Sequence, residues 1–323
     1  MTRTATSPFA THRGAAPPGR FVDPAITADG SVRATVPLTT LETLWFNTGT
    51  LCNIACANCY IESSPTNDAL AYLRADDVAR YLGEIARTGL ATREIGFTGG
   101  EPFMNPDILV MLEQALAGGF QVLVLTNAMR PMTRWGQRLG DLAGAYRDQL
   151  TFRVSLDHHT QALHDAERGQ GSWDKAWEGL DWLRSQGLRI AIAGRRLIDE
   201  PESVARSAYG ALFAARGLDV AAGDPRALVM FPEMEADAEV PEITEACWGI
   251  LNRNPGEMMC ATSRMVVRRK GATHAAVVAC TLTPYDPQFE LGENLDQASV
   301  SVPLNHPFCA QFCVLGGASC SAG

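Results

Sequence analysis

The chain reads as an α/β protein: a parallel sheet wound with helices, followed by a small α+β region that contains a β-hairpin. Three observations predict this. Six short apolar strands alternate with amphipathic helices between Leu41 and Phe231; this rhythm breaks past Pro232; and two β-branched runs beyond the break are joined by a polar turn. Strand–helix–strand alternation of this kind gives parallel strands with right-handed crossovers. Periodicity leaves open whether such a sheet closes.

Taken in order, residues 1–38 are rich in Pro, Gly, Ala, Thr and Arg and read as a flexible leader. The first strand is Leu41-Glu-Thr-Leu-Trp45-Phe46. A helix follows at Asp76 to Thr88, with Val78, Leu82 and Ile85 on one face. The second strand, Glu94 to Phe97, leads into a helix starting near Pro106-Asp107 and ended by Gly118-Gly119. Gln121 to Leu125 is a third strand, Thr133 to Tyr146 a third helix and Leu150 to Leu156 a fourth strand. Ser172 opens a helix that ends at Gly187, Leu188 to Ala193 is the fifth strand, Pro201 to Arg216 the fifth helix, and Ala227 to Phe231 the sixth strand. These elements divide the chain into a leader (1–38), a core (39–235) and a C-terminal region (236–323).

A chain of 323 residues with 46% hydrophobic residues buries a large core. The net charge of −9 argues against a nucleic-acid partner, which leaves a basic footprint. Only Lys175 and Lys270 are lysines among 27 basic residues, so an isolated arginine carries less functional weight than usual. Nine cysteines, no secretory signal and no long apolar run suggest a cytoplasmic chain with no membrane segment. In that setting cysteines bind metals or catalyse more often than they pair.

The stretch Cys52-Asn-Ile-Ala-Cys56-Ala-Asn-Cys59-Tyr60 places three thiols on one short loop. Three thiolates can each hold one iron of a cubic [4Fe–4S] cluster and leave the fourth iron open to a small molecule. A zinc knuckle and a set of buried structural cysteines are the competing readings. Thr98-Gly99-Gly100-Glu101-Pro102 follows an apolar strand. Its glycines let the backbone approach a ligand, and Glu101 offers an anionic acceptor for an ammonium group. By itself the same turn would serve merely to join a strand to a helix.

Together the two motifs closely resemble the radical S-adenosylmethionine superfamily, with its C-x3-C-x2-C loop, its aromatic after the third cysteine and its GGEP turn. The resemblance implies an open (β/α)6 partial TIM barrel with the active site at the C-terminal strand ends. It implies a SAM-binding [4Fe–4S] cluster on Cys52, Cys56 and Cys59, with S-adenosyl-L-methionine beside it. Tyr60 would lie against the adenine, Gly99, Gly100 and Glu101 would meet the aminoacyl group, and Asn127 of Thr126-Asn127 would sit near the cofactor. An Asx-turn is the plainer role for Asn127. Val154-Ser155-Leu156-Asp157 and His164-Asp165-Ala-Glu-Arg168-Gly169 look like the segment of the sulfatase-maturing subgroup in which serine and arginine bind the cofactor's carboxylate or ribose. Ser155 and Arg168 take those roles by match; a simple Asp165–Arg168 pair is the alternative. Ile192-Ala193-Gly194 is a weak candidate for contacts to the base, and Arg195-Arg196 faces either an anionic substrate or solvent. No metal-ligand spacing unites His158, His159 and His164.

Past the core lie Cys247, Cys260, Cys280, Cys309, Cys313 and Cys320. Cys260 and Cys280 bracket the hairpin, whose ends must meet, and Cys309-x3-Cys313 can complete a four-cysteine site. This resembles the SPASM and Twitch extensions, and implies one auxiliary [4Fe–4S] cluster rather than two, since the last motif lacks a fourth cysteine. Zinc suits the same four thiolates. Whether Cys247 or Cys320 replaces one of them is open. The family mechanism further implies a reducing partner such as flavodoxin or ferredoxin and hydrogen abstraction from a substrate. A small molecule is favoured and a peptide is the alternative, the leader being too short for the peptide-binding domain that many peptide-modifying relatives carry. A non-catalytic iron–sulfur or zinc protein would need neither GGEP nor the Ser155 and Arg168 segment.

Overall fold

The computed structural model describes residues 19–234 and 238–318. In chain order the elements are β1 (Thr35–Val36), β2 (Thr43–Asn47), α1 (Ala75–Thr88), β3 (Glu94–Thr98), α2 (Ile108–Ala117), β4 (Gln121–Thr126), α3 (Arg130–Thr133), α4 (Gly136–Ala145), β5 (Leu150–Ser155), α5 (Gln161–Arg168), α6 (Ser172–Ser185), β6 (Arg189–Arg196), α7 (Glu202–Arg216), β7 (Leu228–Pro232), α8 (Glu245–Leu251), β8 (Ser263–Val267), β9 (Ala276–Val278), β10 (Glu290–Gly292) and β11 (Val302–Pro303). A π-helical turn, Cys309–Leu315, follows.

Nine strands make one sheet in the order β10-β9-β8-β2-β3-β4-β5-β6-β7. β2 to β7 are parallel throughout, and β7 and β10 stand at opposite edges, so the sheet is an open partial barrel. A sheet covered on both faces needs strands that are apolar on both. Alternation sends Phe46, Phe97, Val122, Val124, Phe152 and Val154 toward the helices, and Trp45 and Leu123 to the other side, where they pack with Met265, Phe308 and Phe312. Gly96 is required there, because a Cβ would stand 2.3 Å from the Trp45 ring.

The hairpin does not stand apart from the core. β8 pairs parallel with β2, from Thr43↔Ser263 to Phe46↔Val266, and antiparallel with β9. Every residue of β8 is buried, and pairing on both edges leaves no open row of backbone groups.

The leader expectation needs correction over its described part, 19–38. There β1 pairs antiparallel with β11, Ala34 and Val36 are fully buried, and the buried Arg33 forms an ion pair with Glu242. Composition marks the segment as loose, yet Thr27, Arg33, Ala34 and Val36 are buried. The first 18 residues lie outside the described ones. The single third helix is in fact two, α3 and α4, broken next to Gly136 at φ +45°. No helix among the described residues is long and apolar enough to cross a membrane.

Candidate active site

The cysteine loop runs from β2 to α1 and is fastened from below by the two-glycine turn after β3. The Gly100 N–H donates to the Gly49 carbonyl at 2.7 Å and the Glu101 N–H to that of Leu51 at 3.1 Å. A side chain at Gly100 would bring its Cβ within 2.2 Å of the Leu51 oxygen, and Gly99 adopts φ +138°. The close approach that these glycines permit is therefore to the cysteine loop itself. From the other side, the Glu167 carboxylate at the end of α5 accepts from the Asn58 backbone and side-chain N–H groups, each at 2.8 Å. Ala57 N–H adds a bond to the Glu167 carbonyl.

So held, Cys52, Cys56 and Cys59 face a cavity at the C-terminal strand tips, together with Tyr60, Gly99, Gly100, Asn127, Ser155 and Arg168. Two expected residues do not face it. The Glu101 carboxylate is 1% exposed and accepts from Phe103 N–H, Thr126 Oγ1 and Asn127 N–H, which makes it a buttress for the β4 tip. Ile192 is buried among the helices, because alternation along β6 turns Ala193 and Arg195 to the cavity instead.

Arg168 pairs with Asp157, Nε to Oδ2 at 2.7 Å, and not with Asp165. Asp165 instead accepts from Gly171 N–H, Ser172 Oγ and Trp173 N–H, and so caps α6. Arg195 lies 3.9 Å from Asp157 and 3.1 Å from Glu167, with its guanidinium over the Tyr60 ring. Burial alone would raise the Asp157 pKa, but Arg168 and Arg195 outweigh it and hold the carboxyl below its ordinary value. Two cations and two anions thus balance in the wall.

Burial pushes the Cys52 thiol up to about 12 and raises Cys56 and Cys59 as well, with Arg168 partly offsetting this at Cys56. These thiols are neutral at pH 7 unless a cation takes their protons' place. Three converging soft donors beside a guanidinium fit an iron–sulfur cluster, and the polar groups of Asn127, Ser155 and Arg168 fit a zwitterionic ligand next to it.

A second, apolar cavity is ringed by Cys260, Cys280, Cys309 and Cys313. The hairpin brings up the first two, and the π-helical turn presents the others at its first and fifth residues. Burial pushes Cys260 up to about 12 and raises Cys280 and Cys309 too. Leu282 lines both cavities. Cys247 is not among the lining residues; its sulfur lies 3.4 Å from Thr244 N. Cys320 lies outside the described residues.

Asp157 and Glu167 were not singled out by sequence. Their signal was adjacency to Ser155 and Arg168, which says nothing about direction.

Residues 46–200 match the model of the radical SAM superfamily. The chain is 30% identical over 169 residues, 52% of its length, to the antilisterial bacteriocin subtilosin biosynthesis protein AlbA of Bacillus subtilis. It is 31% identical over 184 residues, again 52% of its length, to the mycofactocin maturase MftC of Mycobacterium tuberculosis. These matches span only 35% of AlbA and 44% of MftC. The crystal structure of Streptococcus suis SuiB bound to precursor peptide SuiA shares the fold, with a TM-score of 0.56 at 12% identity over 80% of this chain and 65% of that one.

Proposed function

Residues 46–200 are a radical SAM domain, and we propose that the chain uses it to modify a peptide. The observation that carries the chemistry is the meeting of Cys52, Cys56 and Cys59 with Asn127, Ser155 and Arg168 in one cavity. The relatives' names, a bacteriocin biosynthesis protein and a maturase, support a peptide over the small molecule favoured from sequence.

When bound, the cluster and S-adenosylmethionine supply a one-electron reductive cleavage that yields methionine and a 5′-deoxyadenosyl group able to take hydrogen from the substrate. The chain's own residues do the rest. Cys52, Cys56 and Cys59 would hold three irons, and Gly100 and Glu167 keep their loop in place. Arg168, oriented by Asp157, offers paired donors to a carboxylate, and Ser155 and Asn127 offer further polar contacts. Tyr60, Phe231 and Phe312 form an apolar wall that excludes water. Cys260, Cys280, Cys309 and Cys313 would hold an auxiliary cluster, and that group would supply a one-electron acceptor for a net oxidation. The first electron comes from a protein reductant such as flavodoxin or ferredoxin.

The test is anaerobic reconstitution with dithionite and S-adenosylmethionine. 5′-Deoxyadenosine should form, Cys56→Ala should abolish it, and a synthetic short peptide encoded beside the gene should change mass. Full product formation by Cys56→Ala would sink the chemistry. An unchanged peptide, with consumption of a neighbouring pathway's small molecule, would overturn only the substrate class.

A further inference from the structure

Past the tip of β5 lies a cluster that the chemistry above does not use. Leu156 N–H donates to the Ala193 carbonyl at 2.9 Å and the Asp157 carbonyl accepts from Arg195 N–H at 3.0 Å, so the chain keeps sheet register before reaching His158-His159. The two imidazoles lie against each other, tilted by 32°, with centroids 3.9 Å apart. Glu200, in the loop between β6 and α7, closes over them: His158 Nε2 to Oε2 and His159 Nδ1 to Oε1 are each 4.0 Å. All three ligand atoms lie within 4.8 Å of one another.

We propose that His158, His159 and Glu200 bind a divalent first-row transition ion, with Zn²⁺ the best-suited occupant, and that the ion ties the β5 tip to the loop before α7. Four features carry this. First, His159 Nδ1 and Glu200 Oε2 are buried and make no hydrogen bond among the described residues. An imidazolium–carboxylate pair would close to the 2.7–3.2 Å of a hydrogen bond; a gap of 4.0 Å on both arms leaves space for an ion between them. Second, the rings are oriented from behind. His158 Nδ1 accepts from Thr160 N–H at 3.0 Å and lies 2.9 Å from Thr160 Oγ1; when Nε2 takes a metal the proton moves to Nδ1, which then donates to Oγ1, so binding requires the Thr160 N–H to turn off the ring. His159 rests edge-on against Tyr209, whose hydroxyl is tied to the Leu156 carbonyl at 2.7 Å. Third, two imidazoles and one carboxylate suit Zn²⁺ and its neighbours in the first row, and disfavour Mg²⁺ and Ca²⁺. Fourth, Zn–N and Zn–O bonds of about 2.0–2.2 Å put ligand atoms of a tetrahedron roughly 3.3 Å apart, so small side-chain rotations complete the site and leave one position for water.

Such an ion would brace Asp157, the residue that orients Arg168 and Arg195 at the cavity wall. Sequence shows no ligand spacing because Glu200 arrives from a different strand–helix loop.

The site is independent of the radical chemistry and is tested without it. Cluster-loaded protein, prepared anaerobically, is given a small excess of ZnCl₂, desalted, and analysed for zinc and iron per chain, with zinc K-edge absorption reporting the ligands. The wild type should keep about one zinc in a nitrogen and oxygen shell with imidazole scattering. Glu200→Gln and His159→Gln should weaken it by more than the ~10–100-fold that loss of an outer-shell partner costs, with iron per chain unchanged as evidence of folding. Retention of zinc by both variants, sulfur at about 2.3 Å in its shell, or no zinc on the wild type would each overturn the proposal.

Discussion

Glu101 is a carboxyl group with three hydrogen-bond donors and almost no solvent. Burial dominates and pushes its pKa up to about 7, against 4.5 for the ordinary group. A raised carboxyl pKa means that the neutral form is favoured in the folded state. Stability relative to a permanently neutral residue is then fully present below about 4.5 and is lost as pH rises through about 7. At 1.36 kcal/mol per unit, the loss is ~3 kcal/mol. Urea unfolding of wild type and Glu101→Gln from pH 4.5 to 8 should therefore show the wild type falling behind its variant across that window. Parallel curves would mean that the donors from Phe103, Thr126 and Asn127 already keep Glu101 ionised.

Two elements fasten the site to the fold, and each predicts a cost. Gly100 lies beneath the cysteine loop with no room for a methyl group, so Gly100→Ala must move main chain on one side or the other. Overpacking of this kind costs about 1–3 kcal/mol. The strain falls next to Cys52, so iron per chain after reconstitution should drop together with the urea midpoint. A variant as stable and as iron-rich as wild type would show that the loop has slack. At the other end of the chain, Arg33 holds Glu242, whose side chain is 7% exposed. Arg33→Ala leaves a buried carboxylate without its cation, which costs about 3–5 kcal/mol. A loss below 1 kcal/mol in the same assay would mean that residues 19–38 contribute little to holding the C-terminal region.

Across the whole molecule, the two thiol cavities should load independently, because their ligands come from separate segments and, among the described residues, only Leu282 lines both. Reconstituted wild type should carry about eight irons, and the triple alanine variant of Cys52, Cys56 and Cys59 about four, with a [4Fe–4S] spectrum and no binding of S-adenosylmethionine. One zinc and no iron in the triple variant would remove the electron-accepting role of the second cavity but keep the cage. What the sequence by itself determined is what contiguous residues encode. The strand and helix order follows from local hydrophobic period, the cysteine loop from ligand spacing, and the pairing of Cys260 with Cys280 from the obligation of a hairpin to bring its ends together. Only the tertiary structure decided which surfaces meet. It turned Arg168 to Asp157 rather than Asp165, laid β8 along β2, packed Arg33 against Glu242 and carried Glu200 to His158 and His159. Each of these joins side chains or strands whose placement depends on the packing of the whole sheet and its helices, and a contact of that kind leaves no periodic trace along the chain.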